Sequence, residues 1–73
     1  MSHKIFAERL NSELDQIDFP SKLDERVEAF AKLLDIPRFK AESILSGAIL
    51  PEEELLMRIA EELEVDPGWL LGN

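Results

Sequence analysis

The sequence predicts a small all-α protein made of five short helices. Apolar residues recur at steps of three and four, and no stretch alternates as a strand does. With 73 residues, the chain has room for one domain, which we place over 1–73. Proline, glycine and polar residues divide it at Pro20-Ser21, Asp35-Ile36-Pro37, Ser46-Gly47, Leu50-Pro51 and Asp66-Pro67.

We therefore expect helices near 4–16, 22–34, 37–46, 51–63 and 67–71. Ser2 is a candidate N-cap for the first helix, and Pro37 and Pro51 are placed as starting residues of the third and fourth. The inward stripes also include Ile17 and Leu23, and Trp69 is expected to pin the last helix. The predicted core is Phe6, Leu10, Leu14, Val27, Phe30, Ala31, Leu34, Ile36, Ile44, Leu55, Ile59 and Leu63.

Composition and charge narrow the function. The chain has no cysteine, its formal net charge is −8, and no apolar run approaches the roughly 20 residues that cross a bilayer. We expect a soluble cytoplasmic protein with no cofactor and no membrane partner. Residues 21–50 are neutral overall, whereas residues 51–73 carry a net charge of −6. This acidity argues against a broad electrostatic footprint on nucleic acid.

Nothing in the sequence predicts an enzyme. The single histidine is His3, and neither a cysteine nor a glycine-rich loop is present. Glu52, Glu53 and Glu54 suit the first turn of a helix, where the helix dipole favours anions, better than they suit a metal site.

The order and spacing of the elements resemble a known family. The segment Phe30-Ala31-x-x-Leu34-Asp35-Ile36-Pro37-x6-Ile44-x2-Gly47 is similar to the helix-turn-helix of lambda-repressor-like, phage-type regulators. The downstream stripe from Leu55 to Leu71 and the opening Phe6-Ala-Glu-Arg-Leu10-Asn resemble the remaining helices of that domain. Asp35 stands where the family has glycine, so we expect either a positive φ at Asp35 or a reshaped turn.

The resemblance implies a DNA-binding transcriptional regulator, repressor-like in action. The helix-turn-helix would span about 23–47, with 37–46 as the recognition helix in the major groove of an operator. Its outward residues, the implied DNA-binding set, are Arg38, Phe39, Lys40, Glu42, Ser43 and Ser46. The family also implies a homodimer, for which exposed apolar surface near Trp69, Leu70 and Leu71 is the suggested seam.

Some residues depart from the family pattern. Val27 occupies a position where the family often has a glutamine that contacts phosphate, and the usually basic loop after the recognition helix is Ala48-Ile49-Leu50-Pro51. Arg38 and Glu42, four residues apart, are placed to neutralise each other. Phe39 can either contact a thymine methyl group or fold back onto the rim of the core.

Two alternatives stay open on these residues. In one, the domain is a protein-interaction module with little or no DNA binding, and Phe39, Ile49 and Leu50 contact a protein partner. In the other, the chain is the N-terminal part of a longer repressor, and dimerisation and signal sensing reside elsewhere.

Overall fold

The computed structural model describes residues 3–73, which form helices and turns and contain no strand. The helices are α1 (His3–Gln16), α2 (Leu23–Leu34), α3 (Arg38–Ser46), α4 (Glu53–Leu63) and α5 (Pro67–Leu70). The all-α prediction is confirmed, whereas the proposed Ser2 cap lies outside the described residues. Across residues 3–73, no helix is long and apolar enough to span a membrane.

Two predicted helix starts need correction. Pro37 has an extended ψ of 148° and precedes α3 as its N-cap, so the helix begins at Arg38. Pro51 is buried ahead of α4, and Glu52, with ψ of 160°, is the N-cap of that helix. In contrast, the start of α5 is as expected: Pro67 is its first residue, and the Asp66 carboxylate accepts a 2.9 Å hydrogen bond from the Gly68 amide.

The first four helices end in the same way. A residue with left-handed backbone follows each helix, and the next amide donates to a carbonyl five residues earlier. These second bonds are Phe19 to Leu14, Ile36 to Ala31, Ala48 to Ser43 and Val65 to Ala60, at 2.9–3.0 Å. The expected positive φ at Asp35 is confirmed at 56°. The sharp endings let short helices turn back onto one core.

That core contains most of the predicted residues. Ten of the twelve are buried, the exceptions being Ala31 and Ile36, which are half-buried and pack against its edge. Ile17 and Leu23 are exposed, contrary to the predicted stripes. Ile17 lies beyond the last residue of α1, where Asp18 has already left the helical conformation, and Leu23 is the first residue of α2.

A buried arginine joins the first three helices. Arg26 of α2 is 6% exposed; its Nε donates to the Pro20 carbonyl at 2.8 Å and its Nη1 to Asn11 Oδ1 at 3.0 Å. Its Nη2 forms an ion pair with Asp15 of α1. Asn11 in turn donates through Nδ2 to the Leu45 carbonyl of α3 at 3.0 Å. These hydrogen bonds connect α2 to α3 by way of Asn11 in α1.

The helix α5 closes the fold against α1. Leu70 is completely buried, and the Arg9 guanidinium lies 4.9 Å from the centre of the Trp69 ring while donating to the Trp69 carbonyl. Trp69 and Leu71 are half-buried against the core. The apolar surface suggested as a dimer seam is therefore largely used within the protein itself.

Candidate nucleic-acid interface

The residues that the resemblance implies for DNA binding lie on the third helix, α3. The inner side of α3 packs against both α1 and α2, and its buried residues are Ala41, Ile44 and Leu45. Gly47 ends the helix with φ of 83°, and a Cβ placed there would lie 3.2 Å from the His3 carbonyl oxygen. Glycine is therefore favoured at this position for two reasons, its left-handed backbone conformation and its close approach to α1. The outer side of α3 is left for other contacts.

Arg38 and Phe39 open this outer side. The Arg38 side chain is 54% exposed and lies over α2, with its Nη2 3.7 Å from Asp24 Oδ1 and its Nη1 3.5 Å from Glu28 Oε1. The predicted pairing with Glu42 is wrong, since within the described chain the ion pairs of Arg38 are these two. Phe39 is 72% exposed, so it does not fold back onto the core rim.

Lys40 connects α3 to the beginning of α4. Its Nζ forms a 2.8 Å hydrogen-bonded ion pair with Glu52 Oε2. This bond, assisted by a backbone hydrogen bond of Glu52, lowers the pKa of the Glu52 carboxyl below its ordinary value of 4.5. Lys40, one of the implied DNA-binding residues, is thus paired with a carboxylate of its own chain.

One residue in the second half of the predicted set is less accessible than expected. Glu42 and Ser46 are exposed, but Ser43 is half-buried rather than outward. The Ser43 carbonyl accepts hydrogen bonds from the amides of Ala48 and Ile49 and from Ser46 Oγ, the last at 3.2 Å. The Ser43 carbonyl and the Ser46 hydroxyl therefore form hydrogen bonds that end the helix. We call the surface formed by Arg38, Phe39, Lys40 and Glu42 the α3 face.

The α3 face is not a basic patch. Its two cations are accompanied by the carboxylates of Asp24, Glu28, Glu42 and Glu52, which leaves a local net charge of −2. The sequence alone does not reveal Asp24 and Glu28 as partners of Arg38. Their spacing of four places them on one side of α2, but only the crossing of α2 and α3 brings that side to Arg38.

Two further observations limit what this region can do. Val27 is 3% exposed, so at the position where the resembled family often has glutamine this chain has a core residue. Among residues 3–73, no group of three or more histidine, cysteine, aspartate or glutamate side chains is arranged to hold a metal ion. The face can therefore offer an ion-paired arginine, an ion-paired lysine and one exposed aromatic ring to a ligand.

Comparisons with known proteins add no further constraint. No model of a protein family matches the chain, and neither a curated protein nor a solved structure shows significant similarity to it.

Proposed function

We propose that this protein is a DNA-binding transcriptional regulator that inserts α3 into the major groove. The observation that carries the proposal is the exposure of Arg38 and Phe39 at the first turn of a helix whose opposite side is firmly buried. An α-helix with its side chains is about 10–12 Å across, which suits a major groove about 12 Å wide. Its first turn is the part that reaches base edges in this mode of docking.

The side chains divide the work between sequence and backbone. Arg38 supplies the two parallel donors that recognise guanine, and Phe39 supplies an apolar surface for a thymine methyl group. Lys40 neutralises a phosphate after leaving Glu52. Exposed ion pairs contribute only about 0–1 kcal/mol, so replacing one carboxylate partner by a phosphate costs little.

The surrounding carboxylates favour selectivity over affinity. Non-specific binding comes almost entirely from neutralised phosphates, and the α3 face has a surplus of negative charge. Binding to arbitrary sequences should therefore be weak, and base contacts should supply most of the discrimination. Two copies on a symmetric operator would double those contacts. With Leu70 buried, we propose that the copies pair on the DNA rather than through α5.

Selection from a random duplex library at about 50 mM salt tests the proposal. We expect one enriched motif, for which Arg38→Ala weakens binding by about 1–3 kcal/mol and relaxes preference at one base pair. The matched control is Lys4→Ala, which removes the same charge from an exposed position of α1. Failure to enrich any sequence, or equal losses in the two variants, would rule out readout by Arg38.

A second candidate is a protein-interaction module. It is favoured by the pairing of both α3 cations with carboxylates and by the 72% exposure of Phe39. An exposed aromatic ring with polar neighbours is typical of an anchor residue in a protein interface. In that case Phe39→Ala abolishes capture of the partner, Arg38→Ala does not, and no duplex is retained even at low salt.

A further inference from the structure

A separate groove lies on the side of the molecule formed by α4 and the start of α5. It is open, has a volume of about 770 Å³, and has an apolar lining made by Met57, Ala60, Val65 and Pro67. Ala60 is 3% exposed and belongs to its floor, whereas Met57 is 53% exposed. An exposed methionine beside a groove is a flexible apolar surface that adapts to a partner side chain.

Acidic side chains surround this apolar lining. Glu53, Glu54 and Glu61 also line the groove, and each is exposed. Arg58 is the one cation among the described residues that line the groove. Its Nη2 donates to the Leu34 carbonyl at the end of α2 at 2.7 Å, so part of its hydrogen-bonding capacity stabilises the fold. The groove therefore combines an apolar centre with a negative rim.

We propose that this groove, which we call the α4–α5 groove, docks a basic amphipathic segment of a partner protein. An aliphatic side chain of the partner would contact Met57 and Val65, while lysines or arginines beside it face the three glutamates. Charge complementarity of this kind steers association and excludes partners of the wrong sign. The inference does not depend on whether α3 binds DNA.

The same charges argue against the other occupants of such a groove. A second copy carries the same net charge of −8, with −6 in residues 51–73, so two like faces repel each other. Nucleic acid would bring phosphates to a negative rim. The described residues include no cluster of metal-ligating side chains, so the glutamates are not assigned to a cation.

The test uses a synthetic amphipathic peptide of about 14 residues. A helix of this length is only marginally stable in water unless a partner surface supports it. The peptide carries leucines on one face and lysines on the rest. We expect it to shift the backbone amide resonances of Met57, Glu61 and Val65 in the full chain. Two comparison peptides, one with glutamates for the lysines and one with serines for the leucines, should cause no such shifts.

Matched variants then separate the groove from general attraction. Glu61→Lys should weaken peptide binding about tenfold, which corresponds to about 1.4 kcal/mol. Glu62→Lys makes the same charge change at a neighbouring exposed residue that does not line the groove, and should weaken binding much less. Met57→Ser should also weaken binding, whereas Leu33→Ser, an exposed leucine of α2, should not.

Several results would overturn the proposal. Equal weakening by Glu61→Lys and Glu62→Lys would mean that the peptide follows net charge alone. Shifts centred on Asp24, Glu28 and Glu42 would place it on the α3 face. Concentration-dependent shifts at Met57 without peptide would assign the groove to a second copy. Loss of DNA binding by Arg38→Ala would leave these measurements unchanged, so the two proposals fail separately.

Discussion

Asp18, Asp35 and Glu64 hold left-handed backbone conformations after α1, α2 and α4, with φ of 62°, 56° and 57°. Each makes possible the hydrogen bonds that end its helix. The conformation strains residues that have a Cβ, although aspartate tolerates it better than most because its short side chain bonds locally. Glutamate lacks that advantage, which makes Glu64 the most strained of the three.

We predict that Glu64→Gly stabilises the protein by up to about 1 kcal/mol, because glycine adopts this conformation without steric cost. Asp35→Gly should give a smaller gain. Urea unfolding monitored by circular dichroism measures both changes as shifts in midpoint.

The control for this pair is Glu61→Gly, which makes the same substitution inside α4. Glycine within a helix costs roughly 0.5–1 kcal/mol of stability. Glu61→Gly should therefore destabilise the protein, whereas Glu64→Gly, three residues further on, should stabilise it. A loss of stability in Glu64→Gly similar to that in Glu61→Gly would show that no strain is stored at Glu64.

At the scale of helices, Arg26 is the residue that ties separate elements together. It bonds to the α1–α2 connection at Pro20 and to α1 at Asn11 and Asp15, and Asn11 reaches the end of α3. We expect Arg26→Ala to lower the free energy of unfolding by about 2–3 kcal/mol, since it removes the hydrogen bonds of a buried guanidinium and leaves half-buried acceptors at Asn11 and Pro20 unpaired. Asp15 is 65% exposed, so its carboxylate regains water and adds little to the loss.

Arg26→Lys distinguishes the hydrogen-bond geometry from the charge alone. A lysine keeps the cation but lacks the planar fork of donors, so it should recover only part of the stability. Lys32→Ala, which removes an exposed cation from the same helix, should change the midpoint by less than about 0.5 kcal/mol. Full recovery by lysine would mean that the network around Arg26 depends on charge and not on its directional bonds.

The ion pair of Lys40 and Glu52 joins α3 to the start of α4. Because Lys40 lowers the pKa of Glu52 in the folded state, the pair stabilises the fold above the ordinary pKa of 4.5 and loses that contribution as the pH falls through the lowered value. We predict that the side-chain carboxyl resonance of Glu52 titrates below pH 4.5. Lys40→Ala should move the titration upward, and Lys32→Ala should leave it in place.

One result of this titration would contradict the predicted effect of Lys40 on Glu52. If Glu52 titrated at its ordinary pKa in both the parent chain and Lys40→Ala, the hydrogen bond between α3 and α4 would not persist in solution. Lys40 would then be available to a phosphate from the outset, and the electrostatic cost of DNA binding would be lower than proposed.

For the molecule as a whole, helical periodicity predicts the core well and its edges poorly. Phe6, Leu10 and Leu14 are fully buried because α1 is regular between them. The stripe fails at Ile17 since the helix ends one residue earlier, and the residue that turns the chain is Asp18, which carries no distinctive signal. Arg26 was missed for a related reason: it borders the buried stripe of Val27 and Phe30, where a long polar side chain is normally expected to reach solvent.

The sequence predicts which side chains of α3 point outward, but it does not predict the charged side chains that surround them. Regular helix geometry places Arg38, Phe39 and Glu42 outward without any knowledge of the neighbouring helices. The partners of Arg38 depend on how α2 crosses α3, and the partner of Lys40 depends on the path of residues 47–52. Both sets of partners are determined by how the helices pack, so they cannot be predicted from residue types alone.

The balance of charge over the whole molecule bears on self-association and on the proposed DNA binding. With a net charge of −8 and Leu70 buried, the free protein should sediment as a monomer, and two copies should meet on a symmetric operator. Few cations can reach phosphates, so the dependence of log K on log salt should be shallow, about −2 to −5 for two copies at roughly −0.9 per phosphate. Glu52→Gln should strengthen binding several-fold by freeing Lys40.

Glu62→Gln is the matched control, because it removes the same charge ten residues further along α4. That spacing corresponds to about 15 Å of helix, more than the Debye length of about 10 Å at 0.1 M salt, so its effect on DNA affinity should be small. Fluorescence anisotropy at several salt concentrations measures both variants. A slope much steeper than −5 would require more phosphate contacts than the α3 face can make, and equal effects of the two variants would show that net charge, and not release of Lys40, controls binding.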